Sequence, residues 1–262
     1  LRNVVDNLKL RASYGTLGNQ DVGSYDYIQS INTQKVMGNY TFDKVSGADY
    51  AYADNPVSGA LTWEKVIHKN VGLDLSMLSS RLNLSFDAYI RDVKGILTQG
   101  KSLPSIYGAA EPMVNANDIR TKGWELTFGW RDSFKIAGRP FHYSLSATLA
   151  DYKAKYTKVD NPSGILSDPY VGKEVGEIWG YRVAGLFKTT AEAQEYASQI
   201  NLSEVCYDYF RSDAGAYGRG IQAGDMKFLD LNGDNVVNSG AGTLDNPGDR
   251  VKIGNSNPRY TY

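Results

Sequence analysis

The run "DLNGDNVVN", Asp230 to Asn238, sets side-chain oxygens two residues apart at Asp230, Asn232 and Asp234. Alternate positions of a tight loop converge on one point, so this spacing suits a loop wrapped around a hard cation such as calcium. In such a loop, positions 1, 3 and 5 give side-chain oxygens, position 7 a backbone carbonyl and position 12 a bidentate acid. Asp230, Asn232 and Asp234 fill the first three, Val236 offers its carbonyl and Asn238 stands at position 9. Two positions depart from the pattern. Asn235 replaces the usual Gly, although Asn tolerates a left-handed turn better than most residues, and Ala241 stands where the closing acid should be. A later acid, Asp245 or Asp249, then has to fold back across "SGAGTLDNPGD". The expectation is a structural calcium held by Asp230, Asn232, Asp234, Val236, Asn238 and Asp245, relieving carboxylate repulsion. The alternative is a solvated Asp/Asn-rich turn.

Nothing else in the chain points to chemistry with comparable force. "GRGIQAG" (Gly218, Gly220, Gly224) has neither the strand before it nor the helix after it that a phosphate loop needs. His68 and His142 lie far apart with no Ser or Cys nucleophile signature nearby, and no two of the 29 acids are singled out as a glycosidase pair. No catalytic residue is assigned, and the expectation is a protein that is not an enzyme. Charge is balanced, with 28 basic and 29 acidic residues, so no basic field draws nucleic acid. Cys206 is alone and cannot form an internal disulfide. No run approaches the ~18 apolar residues of a membrane-spanning helix, which leaves barrel strands untouched.

These residues have to be carried by β-structure. Gly (27) and Tyr (19) are abundant, as turns and interfacial aromatics would make them. In "NLKLRASYG" Leu8, Leu10, Ala12 and Tyr14 oppose Lys9, Arg11 and Ser13. Val71, Leu73, Leu75 and Met77 share one face, as do Leu82, Leu84, Phe86, Ala88 and Ile90. So do Trp124, Leu126, Phe128 and Trp130, and Phe141, Tyr143, Leu145, Ala147 and Leu149. Five such alternations predict antiparallel strands, with Asp87, Arg91, Glu125 and Arg131 on the polar side. Connections alternate too. "LSSR" and "RDSFKIAGRP" are short, whereas Gly15 to about Thr62, Val93 to about Asp118, and Asp151 to about Arg259 are long. Short turns at one end and long loops at the other are the plan of an outer-membrane barrel, and a strand of roughly 10 residues or more can cross a bilayer at a tilt. Trp124, Trp130, Phe141 and Tyr143 are expected near the short-turn end as an interfacial girdle. "TTAEAQEYASQI" predicts one helix, opened by a capping box of Thr189 and Glu192.

Longer segments then carry a resemblance. "LKLRASYGTLGNQ", "LTWEKVIHKNVGLDLSMLSSRLNLSFDAYIRDVKGIL", "VNANDIRTKGWELTFGWRD", "EIWGYRVAGLFKTTAEAQEY" and "GDMKFLDLNGDNVVN…GDRVKIGNSNPRYTY" resemble SusC/RagA-type TonB-dependent outer-membrane transporters of Bacteroidetes, in that family's order from Leu8 to Tyr262. The resemblance implies an all-β transmembrane barrel, of about 22 strands in the complete protein, around a plug. It implies residence in the outer-membrane lipid, a SusD-like surface lipoprotein partner and energy from TonB–ExbB–ExbD. The implied cargo is oligosaccharide, with peptide in some members. The whole chain, 1–262, is then expected to be a partial barrel lacking the plug and final strands, with 153–257 a long extracellular region holding the helix and the calcium-like loop. The competing expectation is a secreted, calcium-stabilised β-sandwich that binds or hydrolyses glycans, which would bury Leu84, Leu126 and Leu145 in one dry core.

Overall fold

The computed structural model describes residues 4–19, 28–35, 41–42, 45–46, 49–53, 56–59, 61–100, 104, 106, 110–206 and 220–262. Gly218, the first glycine of "GRGIQAG", lies outside them. The chain divides into two compact units, residues 1–159 with 260–262, and residues 160–259.

The first unit is built on one antiparallel sheet of five strands in chain order. β1 (Val5–Asn19) is followed by two small hairpins, β2 (Ile31–Lys35) with β5 (Asp49–Ala53) and β3 (Thr41–Phe42) with β4 (Val45–Ser46). The sheet continues with β6 (Glu64–Met77), β7 (Leu82–Gln99), β8 (Met113–Ile136) and β9 (Arg139–Lys158). Thr261 makes an isolated antiparallel bridge to Ala150 of β9. All five strands exceed the alternating runs, β8 reaching 24 residues and β9 20.

Register converts sequence alternation into two faces. Leu10, Leu73, Phe86, Leu126 and Leu149 form one continuous row across all five strands. Leu8, Leu75, Leu84, Phe128 and Ala147 form the row below it, one step nearer the short turns. These side chains meet no second layer: Leu10 is 76% exposed and Leu8 60%, and Leu145, in the next row toward the turns, is 61% exposed. A sandwich would bury them, so the sandwich alternative fails on this face.

Both short turns use left-handed backbone. Leu78, Ser79 and Ser80 sit at φ 57°, 59° and 60°, a conformation that costs a side chain roughly 1–2 kcal/mol per residue. Hydrogen bonds hold it: the Leu78 N–H donates to the Val4 carbonyl (2.9 Å), the Ser80 N–H to Asp6 Oδ2 (2.7 Å), and Arg131 Nε to the Ser80 carbonyl (2.9 Å). The second turn is only Ala137–Gly138, both at positive φ as a two-residue hairpin turn requires. Most of the expected connection "RDSFKIAGRP" is therefore strand. At the other end, β7 bulges around Gly95, where the Gly95 N–H donates to Asp118 Oδ1 (2.8 Å).

The girdle is partly relocated. Phe134 packs against Phe141 (5.3 Å between ring centroids) and Tyr143 (6.0 Å), and Trp130 Nε1 donates to the Tyr143 hydroxyl (3.1 Å), all near the Ala137–Gly138 turn. Trp124 does not belong to this group. It pairs with Ala88 and Asp151 on the far side of the leucine rows, because β8 continues eleven residues beyond it to Met113. Phe134 to Trp124 is ten residues on one face, which at ~3.4 Å rise and a tilt of about 40° spans roughly 26 Å.

The second unit holds β10 (Glu177–Tyr181) paired with β13 (Arg250–Asn255), β11 (Val183–Leu186) paired with β12 (Met226–Phe228), and the helix α1 (Thr190–Gln199). Thr189 caps α1, its Oγ1 accepting from the Glu192 N–H (3.1 Å). The Glu192 carboxylate takes the Lys188 N–H (3.0 Å), one residue before the cap. Here a dry core does exist: Phe187, Ala193, Leu202, Cys206, Ile221 and Val237 are buried together. Every hydrophobic side chain buried among the described residues lies in this unit.

Candidate functional site

Three places collect polar chemistry. On the polar side of the sheet, opposite the leucine rows, Arg11 donates from Nε and Nη2 to both oxygens of Asp74 (2.8 and 2.9 Å) and from Nη2 to Asp87 (2.8 Å). Ser85 Oγ donates to Asp74 (2.8 Å) and Asn70 Nδ2 to Asp87 (2.9 Å). Register puts these groups on β1, β6 and β7, with Glu125 of β8 directly beside Asp87. Gly72 makes the cluster possible, since a Cβ there would run into the Asp87 carboxylate and the Arg11 guanidinium. Gly123 does the same for Tyr89, whose ring lies where a Cβ would be, 2.5 Å away. His68 packs on that ring (5.8 Å) and the Arg91 guanidinium lies 6.0 Å from it. The expected polar-side residues Asp87, Arg91 and Glu125 thus gather on one wall, while Arg131 and His142 lie at the short-turn end. One cation shared between two carboxylates, beside aromatic rings, makes a surface for polar and ring-shaped solutes.

The second place is the loop of Asp230–Asn238. Asp230 accepts from the N–H groups of Gly233 (2.7 Å) and Asn235 (2.8 Å), and Asp234 from the Val236 N–H (2.8 Å) and Asn232 Nδ2 (3.0 Å). Gly233 and Asn235 both adopt positive φ, 79° and 65°, which turns their N–H groups inward. Burial opposes charge on Asp230, but these backbone donors outweigh it and hold the carboxyl below the ordinary carboxylate range. The bend is pinned to the end of α1, because the Asn201 N–H donates to the Asn235 carbonyl (2.8 Å) and the Val237 N–H to the Asn201 carbonyl (2.9 Å).

Asp230, Asn232, Asp234, Val236 and Asn238 come together here; Asp245 does not. Asp245 is exposed, and the acid that folds back is Asp249. Asp249 is fully buried and accepts from Leu231 N–H (2.7 Å), Asn232 N–H (3.3 Å) and Asn238 N–H (2.9 Å). Both acids were visible in the sequence, but only burial distinguishes them. Among the described residues no group of three or more His, Cys, Asp or Glu side chains has metal-holding geometry. The donors of this loop are instead two Asp, two Asn and a carbonyl, the all-oxygen chemistry a hard cation takes.

A third cluster had no signature in the sequence. Glu177 accepts from the Tyr170 hydroxyl and from Trp179 Nε1 (2.7 Å), and Lys252 bridges it to Glu174 (3.2 and 2.8 Å). Burial opposes charge on Glu177, yet these donors hold it below the ordinary value. Burial first, and then the Glu177 carboxylate, push the Tyr170 phenol up to about 12.

A sheet with one wet face, one apolar face open to its surroundings, an aromatic cluster near its short turns and a band of barrel-like height is the wall of a transmembrane β-barrel. The family model described as TonB dependent receptor-like, beta-barrel matches residues 1–261, and the chain belongs to that family, whose members sit in the outer membrane. TonB-dependent receptor P39 of Formosa agariphila is 24% identical over 96% of this chain and 24% of its own length. TonB-dependent receptor SusC of Bacteroides thetaiotaomicron is 25% identical over 91% of this chain and 22% of its own length. The chain therefore spans about a quarter of these relatives. The RagAB peptide importer in its open-open state shares the fold, with TM-score 0.58 and 22% identity over 72% of this chain and 20% of that one. The resemblance to SusC/RagA-type receptors read from the sequence is borne out.

Proposed function

We propose that this chain forms part of the wall and outward loops of a TonB-dependent importer that takes up oligosaccharides together with a SusD-like surface lipoprotein. The observation that carries the reading is the pair of faces on β1 and β6–β9: leucine rows open on one side, the Arg11–Asp74–Asp87 cluster with Tyr89 on the other. A closed barrel turns the first toward hydrocarbon and the second toward its lumen. The polar wall would offer hydroxyl-rich solutes hydrogen-bonding carboxylates and flat rings, and no covalent step. Energy would come through TonB–ExbB–ExbD. The region 153–257 is proposed to face outward, since β9 enters it from the long-loop end.

Within that region, calcium is proposed as a brace rather than a catalyst. Asp230, Asn232, Asp234, the Val236 carbonyl and Asn238 would hold it, with Asp249 organising the loop from beneath in place of Asp245 as the nearest further acid. Chelation is expected to raise protease cleavage between Asp230 and Asp249; identical digestion with and without chelator removes the ion from the account. For transport, a strain lacking the gene should stop growing on one class of oligosaccharide while still growing on its monosaccharide. Loss of growth on peptides alone would reassign the cargo, and unchanged growth on every oligomeric nutrient would refute the importer reading.

A further inference from the structure

Just beyond the leucine rows, the lipid-facing side of the sheet changes character. Moving away from the short turns, the row of Ala12, Val71, Ala88, Trp124 and Asp151 is followed by Tyr14, Lys69, Ile90, Lys122 and Lys153, and then by Thr16, Ile67, Asp92, Arg120 and Lys155. Lys65 and Lys94 are paired one step further. All six lysines and Arg120 are exposed. Two carboxylates share the first three of these rows, and a third, Asp118, follows Arg120 on β8 and accepts the Gly95 N–H (2.8 Å). Asp151 is buried, and Asp92, 8% exposed, is engaged by Arg120 at 2.5 Å. On the wet face the interleaved rows carry a single full charge, Arg91, so the accumulation of lysines belongs to the outer face.

We infer that this belt binds the phosphate groups of lipid headgroups in the outer leaflet. The inference rests on the barrel reading for its orientation, because long loops mark the outward end. Depth selects the occupant. The Lys122 row stands two residues above Trp124, about 5 Å along the membrane normal, where an aromatic edge meets the headgroup zone. Lysine stems at that height lie along apolar surface and deliver their ammonium groups to the interface. A purely solvated strand end would mix both signs; a surface meeting anionic headgroups would carry one.

The test uses the full-length receptor in detergent, titrated with phosphorylated lipid A and with the same lipid after dephosphorylation, bound lipid being counted by native mass spectrometry. The phosphorylated lipid should bind at least about tenfold tighter. Each lysine near an anionic surface contributes roughly fivefold, so Lys69→Gln/Lys122→Gln/Lys153→Gln should lose about 100-fold and with it the preference. Lys122→Gln alone should lose about fivefold and carries the test should the triple variant assemble poorly. Lys9→Gln, on the opposite face, should change binding by less than about twofold. Equal binding of the two lipids, an undiminished preference in the lysine variants, or displacement of the lipid by equimolar inorganic phosphate would overturn the belt. An inserted receptor indifferent to lipid phosphate would do so while leaving the barrel intact; a receptor that never inserts would instead strike at the barrel.

Discussion

Leu10 in β1 and Leu202 just past α1 are the same side chain in opposite circumstances, 76% exposed in one and 1% in the other. The unit of residues 160–259 behaves as water-soluble protein does, gathering Phe187, Leu202 and Val237 out of solvent. The sheet of the first unit holds itself together by backbone ladders and displays its apolar residues. Its stability rests on main-chain pairing and on whatever medium covers the leucines, whereas the second unit carries its own apolar core. The same apolar composition thus has two meanings, and register decides between them.

Substitutions can separate the two regimes. Phe187→Ala should have the largest effect, about 3–5 kcal/mol lost from the second unit through an unfilled cavity. It should appear as protease sensitivity around residues 187–237 in a receptor that still inserts; failure of insertion would mean the units are not energetically separate. Leu84→Arg should do the reverse. Its row lies near the middle of the apolar band, where a cation costs roughly 2–4 kcal/mol, so the yield of inserted full-length barrel should fall while protection of the second unit is unchanged.

The Glu177 cluster offers a pH handle on the second unit. A carboxyl held low when folded contributes stability above its unfolded pKa and loses it as pH falls through the folded value. Tyr170, raised to about 12, contributes below about 10 and loses that contribution as pH rises toward 12. Hydrogen exchange at Glu177–Tyr181 should therefore quicken below about pH 4 and above about pH 10, and Glu177→Gln should flatten the acid limb. The smallest effect should come from Thr189→Ala, about 1 kcal/mol of helix stability, seen as faster exchange in the first turn of α1 with the sheet unaffected.

How much of this was legible follows from how many side chains speak for each feature. Strand faces were readable because hydrocarbon on one side and water on the other enforce alternation, as at Leu82–Ile90. Strand lengths were not, because segments such as "MVNANDIR" and "DYKAKYTK" are wet on both faces or carry the lysine rows, and alternation fades there. That is why Trp124 is expected near the short-turn end when it lies in the middle of a strand. The helix was legible through Thr189 and Glu192, a local signal. The core around Phe187 was not, since its members come from a helix, a turn and isolated loop positions with no period. The loop of Asp230–Asp234 announced itself by spacing, but choosing Asp249 over Asp245 required knowing which carboxylate the chain folds over.

The 24 residues of β8 have one more implication. From Trp124 to Met113 the ribbon rises roughly 30 Å past the upper edge of the greasy band, again allowing for tilt. With β7 paired to it as far as Gln99, the wall stands above the bilayer like a parapet. On the importer reading proposed above, a solute arriving from outside would be flanked by protein well before it drew level with the headgroups, so selection among solutes would begin in that vestibule rather than in the bore below.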